Sequence, residues 1–120
     1  MKASELRIGN WVNDPIHNKC NFQIEMFLGI DYFQPLTIDP DEELTLKISE
    51  CEPIPLTEEW LLKFGFENGN YFILNDVIIY KDYNDKYRYE YNYGQLWVKH
   101  VHQLQNLYFA LTGEELTLNN

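Results

Sequence analysis

Tyr87-Arg88-Tyr89-Glu90-Tyr91-Asn92-Tyr93-Gly94-Gln95-Leu96-Trp97-Val98 is the stretch whose reading decides the fold. Its tyrosines fall at every second position and alternate with Arg88, Glu90 and Asn92. That is the period of a β-strand, whose side chains point to opposite faces in turn. The alternation predicts the rings of Tyr87, Tyr89, Tyr91 and Tyr93 on one face, packed against a helix. Gly94 allows a turn into a second strand over 95–98. This strand is apolar on both sides, so it is expected to be covered on both faces.

Working upstream, residues 71–74 and 77–80 are short apolar runs. They flank Asn75-Asp76, a dipeptide suited to a two-residue hairpin turn. Residues 82–85 read as a loop. Before them, Thr57 is placed to cap a helix, with Glu58 and Glu59 in its first turn, where negative charge meets the positive end of the helix dipole. Trp60, Leu61 and Phe64 share one face of that helix, and Gly65 sits where a helix ends. Downstream, Val101, Leu104, Leu107, Tyr108 and Leu111 form an apolar stripe at helical spacing over 101–112, and Gly113 follows. Residues 53–120 therefore read as helix, four-strand antiparallel meander, helix.

The first 52 residues carry a different pattern. Gly9-Asn10 is a turn, followed by a short strand that Asp14-Pro15 ends. Over 21–30, Phe22, Ile24, Met26 and Leu28 alternate with Gln23, Glu25, Phe27 and Gly29, giving one dominant apolar face. Residues 32–38 pair with this strand until Pro35 interrupts. Leu44, Leu46 and Ile48 mark another strand. Four short strands in so short a span read as a small curled, SH3-like β-unit. Glu52-Pro53-Ile54-Pro55-Leu56 is an extended connector, because proline fixes φ and lacks a donor. The fold class is α+β. The chain is expected to be one domain over 1–120, with the β-unit at 1–52 and the helix-flanked meander at 53–120 sharing a core.

The chain has 120 residues and a net charge of −10, with nine Lys and Arg against nineteen Asp and Glu. Nucleic-acid binding depends on cations that displace counterions from phosphates, so direct binding to DNA or RNA is not expected. No segment reaches the ~18 apolar residues that span a bilayer, so no membrane association is expected. Residues 1–10 contain no apolar leader segment. Cys20 and Cys51 lack metal-type spacing, and a cytoplasmic setting with two reduced thiols is the reading.

Three strings stand out together: Leu6-Arg7-Ile8-Gly9-Asn10; Ile54-Pro55-Leu56-Thr57-Glu58-Glu59-Trp60-Leu61-Leu62-Lys63-Phe64-Gly65-Phe66; and Val101-His102-Gln103-Leu104-Gln105-Asn106-Leu107-Tyr108-Phe109-Ala110-Leu111-Thr112-Gly113-Glu114-Glu115-Leu116. The set resembles a group of small uncharacterised Bacteroidetes proteins found near prophage or mobile-element genes. The resemblance implies a bacterial or phage cytoplasmic setting. It brings no activity and no functional residue.

The chemistry-bearing residues give no catalytic or metal site and no cofactor. His100 and His102 are two apart and His17 is remote, whereas zinc takes three or four ligands. Asp39, Asp41, Glu43 and Glu50 imitate a calcium loop, but Leu44 replaces its glycine and Lys47 puts a positive charge among the ligands. Cys20 has His17 nearby but no third group to orient a base.

Two patches are candidates for protein binding. Residues 39–59 hold eight acids and one lysine, among them Asp41, Glu42 and Glu43. Such a run can meet a basic partner or mimic a nucleic acid, though solvated surface is its commoner role. His102, Gln105, Asn106 and Phe109 follow helical spacing away from the apolar stripe. They form either a docking patch around an exposed ring or a covered face with its amides satisfied. The leading expectation is a non-enzymatic interaction module of a bacterial or prophage accessory protein. A small enzyme without a local signature and an acidic nucleic-acid mimic are the alternatives.

Overall fold

A computed structural model of the chain describes residues 1–16, 18–36 and 44–119. It is α+β, with a four-stranded and a five-stranded antiparallel sheet and a C-terminal helix. The chain divides into two compact units, Met1–Ile54 and Pro55–Asn120.

In the first unit, β1 (Trp11–Asp14), β2 (Cys20–Leu28), β3 (Tyr32–Pro35) and β4 (Leu46–Lys47) follow one another across the sheet. A 3-10 turn, Ile48–Glu50, comes next. Glu52 then returns to β1, exchanging both backbone bonds with Asn13 at 2.8 and 2.9 Å. This single bridge brings the end of the unit back beside β1. Leu6, Val12, Ile24, Phe33, Leu46, Ile48 and Cys51 form the core. The Leu6–Asn10 string is a locked turn. Gly9 has φ +95, Asn10 is buried and its Oδ1 accepts from Arg7 N, and Gly9 N and Asn10 O bond the two sides of Ile24.

The predicted apolar face of β2 is corrected here. Phe22 and Ile24 face the core, but the register against β3 shifts between Ile24 and Met26. A bulge opposes two residues to one, so the inward parity changes. Phe27 packs against the core, while Met26 and Leu28 turn outward. The strand predicted over residues 44–49 is also shorter. Only Leu46 and Lys47 pair with β3, because the 3-10 turn begins at Ile48.

In the second unit, α1 (Glu58–Lys63) begins where Thr57 Oγ1 accepts from Trp60 N, and it ends at Gly65, φ +96. Five strands then run in sequence order: β5 (Glu67–Asn68), β6 (Phe72–Leu74), β7 (Val77–Lys81), β8 (Tyr87–Tyr91) and β9 (Gly94–Val98). The meander therefore has one more strand, β5, than the sequence showed. Asn75 and Asp76 turn the β6–β7 hairpin with φ +47 and +67, both left-handed as a type I′ turn requires. Helix α2 (Val101–Thr112) closes the unit. Beyond it, Leu116 is buried and Asn119 N bonds Lys63 O at the end of α1.

Three further expectations fail in this unit, each for a physical reason. Strand β8 stops at Tyr91, and Asn92-Tyr93 is the turn, since Tyr91 pairs directly with Gly94. Tyr87 is buried and Tyr89 half-buried, but Tyr91 and Tyr93 lie in the open at the hairpin end. Strand β9 is the sheet's last strand, not a covered one, and Leu96 and Trp97 are exposed. The stripe on α2 is rotated as well. Val101, His102, Leu104, Gln105 and Tyr108 are buried, whereas Leu111 is exposed.

Candidate functional site

Met26, Leu28, Ile30 and Tyr32 place four large apolar side chains in water on one hairpin, β2–β3. They are 47%, 38%, 91% and 46% exposed. The register explains their grouping. Leu28 lies opposite Tyr32 and Met26 opposite Gln34, all on the outer face, while Phe27 and Phe33 pair on the inner one. Direct cross-strand neighbours have Cβ atoms about 5 Å apart, so the Leu28 and Tyr32 side chains form one continuous surface. Ile30 sits in the turn between the strands. The turn is held from beneath: Asp31 accepts from Ser49 N and Ser49 Oγ, both at 3.0 Å, and its backbone oxygen accepts from Ile48 N. The patch is thus built on a fixed frame. Glu25 stands exposed beside it on the bulge. Sequence alternation placed Met26 and Leu28 in the core and so missed the patch. The seven large apolar residues among the eleven from Phe22 to Tyr32, too many for one strand face, are the signal that could have found it.

Next to Tyr32 lies a cleft of about 480 Å³, lined by Asp14, Lys47, Glu50 and Cys51 among others. Its two buried ionisable groups, Asp14 and Cys51, serve the fold. Asp14 is buried, and its carboxylate caps the turn after β1, accepting from Ile16 N, Asn18 N and Asn18 Nδ2. Burial, reinforced by the negative charge of Asp14, pushes the Cys51 thiol up to about 11. A thiol so poised stays protonated at neutral pH, which removes its nucleophilic form. Cys20 is exposed, and both cysteines are free. Among the described residues no cluster of three or more His, Cys, Asp or Glu could hold a metal ion. His17, Asp39, Asp41 and Glu43, considered above as ligands, lie outside the described residues, with the exception that Glu50 of the calcium-loop reading lines the cleft.

The described part of the predicted binding residues does not form one patch. Asp41, Glu42 and Glu43 lie outside the described residues. Further along the acidic stretch, Glu58 bonds Asn68 Nδ2 at 3.0 Å and pairs with Lys81 at 3.5 Å, and Glu59 pairs with Lys63 at 3.1 Å. These two acids tether α1 to β5 and β7 or brace the helix itself. The helical patch is corrected: His102 and Gln105 are buried, Asn106 is half-buried and Phe109 alone is exposed. The rotated stripe of α2 spends its amide and imidazole facing inward, so these four residues do not form one open surface. His102 instead stacks on His100, with the rings 6° from parallel and centroids 5.7 Å apart.

Comparison with protein-family models, curated proteins and solved structures finds no match. No helix among the described residues is long and apolar enough to cross a membrane.

Proposed function

We propose that the chain is a non-enzymatic protein-interaction module that docks a partner on the outer face of the β2–β3 hairpin. The observation that carries this reading is the bulge between Ile24 and Met26, which turns Met26 and Leu28 out beside Tyr32. Bulges recur where a strand must re-aim side chains toward a working surface. Contiguous exposed apolar surface on a small protein is a mark of recognition, because leaving it in water costs free energy that folding alone does not require. Aromatic and Met side chains are the types enriched at the centres of interfaces. The partner surface is apolar at its centre. An accessory role in a bacterial or prophage cytoplasm, as the resemblance implies, is compatible with the two free thiols.

The test is affinity capture from a bacterial lysate by three proteins. These are the natural chain, the Leu28→Asp/Ile30→Asp variant, and the Asp41→Asn/Glu42→Gln/Glu43→Gln variant. Docking through the hairpin predicts a specific partner that is lost with the first variant only and that survives high salt. A partner lost with the second variant, or by salt, assigns binding to the acidic stretch and overturns the reading.

A further inference from the structure

Strand β9 ends its sheet with an unguarded edge. The pair Tyr91–Gly94 closes a two-residue hairpin, so it is a hydrogen-bonded pair, and bonded pairs then recur at 89–96 and 87–98. Gln95 and Trp97 consequently aim their backbone N–H and C=O groups away from β8. Lys99 has the same parity, and its oxygen does accept from outside the hairpin, from Leu56 N at 3.0 Å. Gln95 and Trp97 have no such neighbour among the described residues. Native edges are usually blunted by lysine, proline, a bulge or an inward charge. Residues 91–98 contain none of these and no charge at all, in a chain of net charge −10. The charges on β8, Arg88 and Glu90, pair with each other at 2.9 Å, and Lys99 follows directly on the end of β9.

We propose that β9 pairs antiparallel with β9 of a second copy of this chain, about a two-fold axis through Leu96. The open edge runs from Gly94 to Val98 and is stopped at Lys99 by Leu56, so its midpoint is Leu96. A two-fold axis there pairs the whole open edge and nothing more. Gln95 lies opposite the second copy's Trp97 and Trp97 opposite its Gln95, and each pair exchanges two backbone hydrogen bonds. Leu96 meets its own copy at a non-hydrogen-bonded position, where side chains approach closest. The register sets no charge against a like charge, and β9 offers no acid to a basic strand. Charge therefore selects an uncharged partner strand, which β9 itself is. A two-fold axis makes the same patch serve both sides.

This inference goes beyond the hairpin docking and does not depend on it. Sedimentation velocity of the full chain tests it. The natural chain is expected to sediment as a dimer, held more tightly at high salt, since salt screens the repulsion between two chains of charge −10. Leu96→Glu and Leu96→Lys each set like charges across the axis and weaken the dimer at least ~10-fold in Kd. An equal mixture of the two restores it. Gln95→Pro removes an outward donor without touching the bonds to β8, and it also dissociates the dimer. Tyr83→Glu, a charge-matched change in the 82–85 loop, and Leu28→Asp/Ile30→Asp leave it intact. A natural chain that stays monomeric, a dimer indifferent to both Leu96 variants, or a mixture that fails to re-associate overturns the proposal.

Discussion

Asn75 Nδ2 donates to the hydroxyl of Tyr108 at 2.7 Å, joining the tip of the β6–β7 hairpin to the buried face of α2. The partners are 33 positions apart in the chain, so the bond reports on tertiary packing and not on local turn preference. Tyr108→Phe removes the acceptor and keeps the ring, which packs edge-on against Phe66 with centroids 6.5 Å apart. It is expected to cost about 1 kcal/mol in urea denaturation. Asn75→Ala loses the same bond and also forces alanine to φ +47, so it is expected to cost more. In a double-mutant cycle the coupling should be about 0.5–1.5 kcal/mol. A coupling near zero would mean that the bond contributes nothing.

Two glycines with positive φ differ in their surroundings, and their alanine variants should differ accordingly. A Cβ at Gly65 would lie 2.7 Å from Asn119 Nδ2, whereas one at Gly113 meets nothing within 4 Å. Both substitutions carry the left-handed penalty of about 1 kcal/mol. Gly65→Ala should in addition turn the Asn119 side chain aside, a small adjustment because only its amide end stands in the way. A shifted Asn119 side-chain amide resonance in Gly65→Ala, and an unchanged one in Gly113→Ala, is the expected signature.

Cys51 makes stability depend on alkaline pH. Its folded thiol titrates near 11, above the 9.0 of an unperturbed thiol. A group with a raised folded pKa stabilises the fold fully below its unfolded pKa, and that contribution is lost as pH climbs through the folded one. Unfolding free energy should therefore decline between about pH 9 and 11, by roughly 2–3 kcal/mol from this group. Cys51→Ala lacks the titration, so the difference between it and the natural chain over that window isolates the effect. A constant difference would contradict the assignment.

The same burial separates the two thiols chemically. Cys20 is exposed and Cys51 buried, so a disulfide reagent at neutral pH should label Cys20 quickly and Cys51 only on unfolding. Intact mass before and after denaturant reads this out. Equal labelling of both in the native state would show that the core around Cys51 opens readily.

At the N-terminus of α1, Thr57→Ala removes the cap on Trp60 N. The contact is long, at 3.4 Å. The cost should thus fall at the low end of the usual range, about 0.5 kcal/mol in chemical denaturation. Thr57→Ser should restore it.

What the sequence by itself determined is the part of the fold written in local chemistry. Thr57 and Gly65 bound α1, Gly113 ends α2, Asn75-Asp76 turns a hairpin, and Gly9-Asn10 makes the turn that enters β1. Each of these works through its own φ or its own side chain, so three or four residues suffice to read it. The prolines at 53 and 55 likewise marked where the β-unit ends. Tertiary structure alone decided which faces were covered. Period two in β2 was real, yet one extra residue after Ile24 changed the inward set from Met26 and Leu28 to Phe27. Period two in the tyrosine strand was equally real, but the pairing of Tyr91 with Gly94 ended it two residues early and left Tyr91 and Tyr93 in water. On α2 the apolar stripe was present, yet the helix turned His102 and Gln105 inward and Leu111 outward. Periodicity states that two faces differ. Which of them is buried depends on register, strand order and the rotation of a helix on its sheet, and those are set by contacts between residues far apart in the chain.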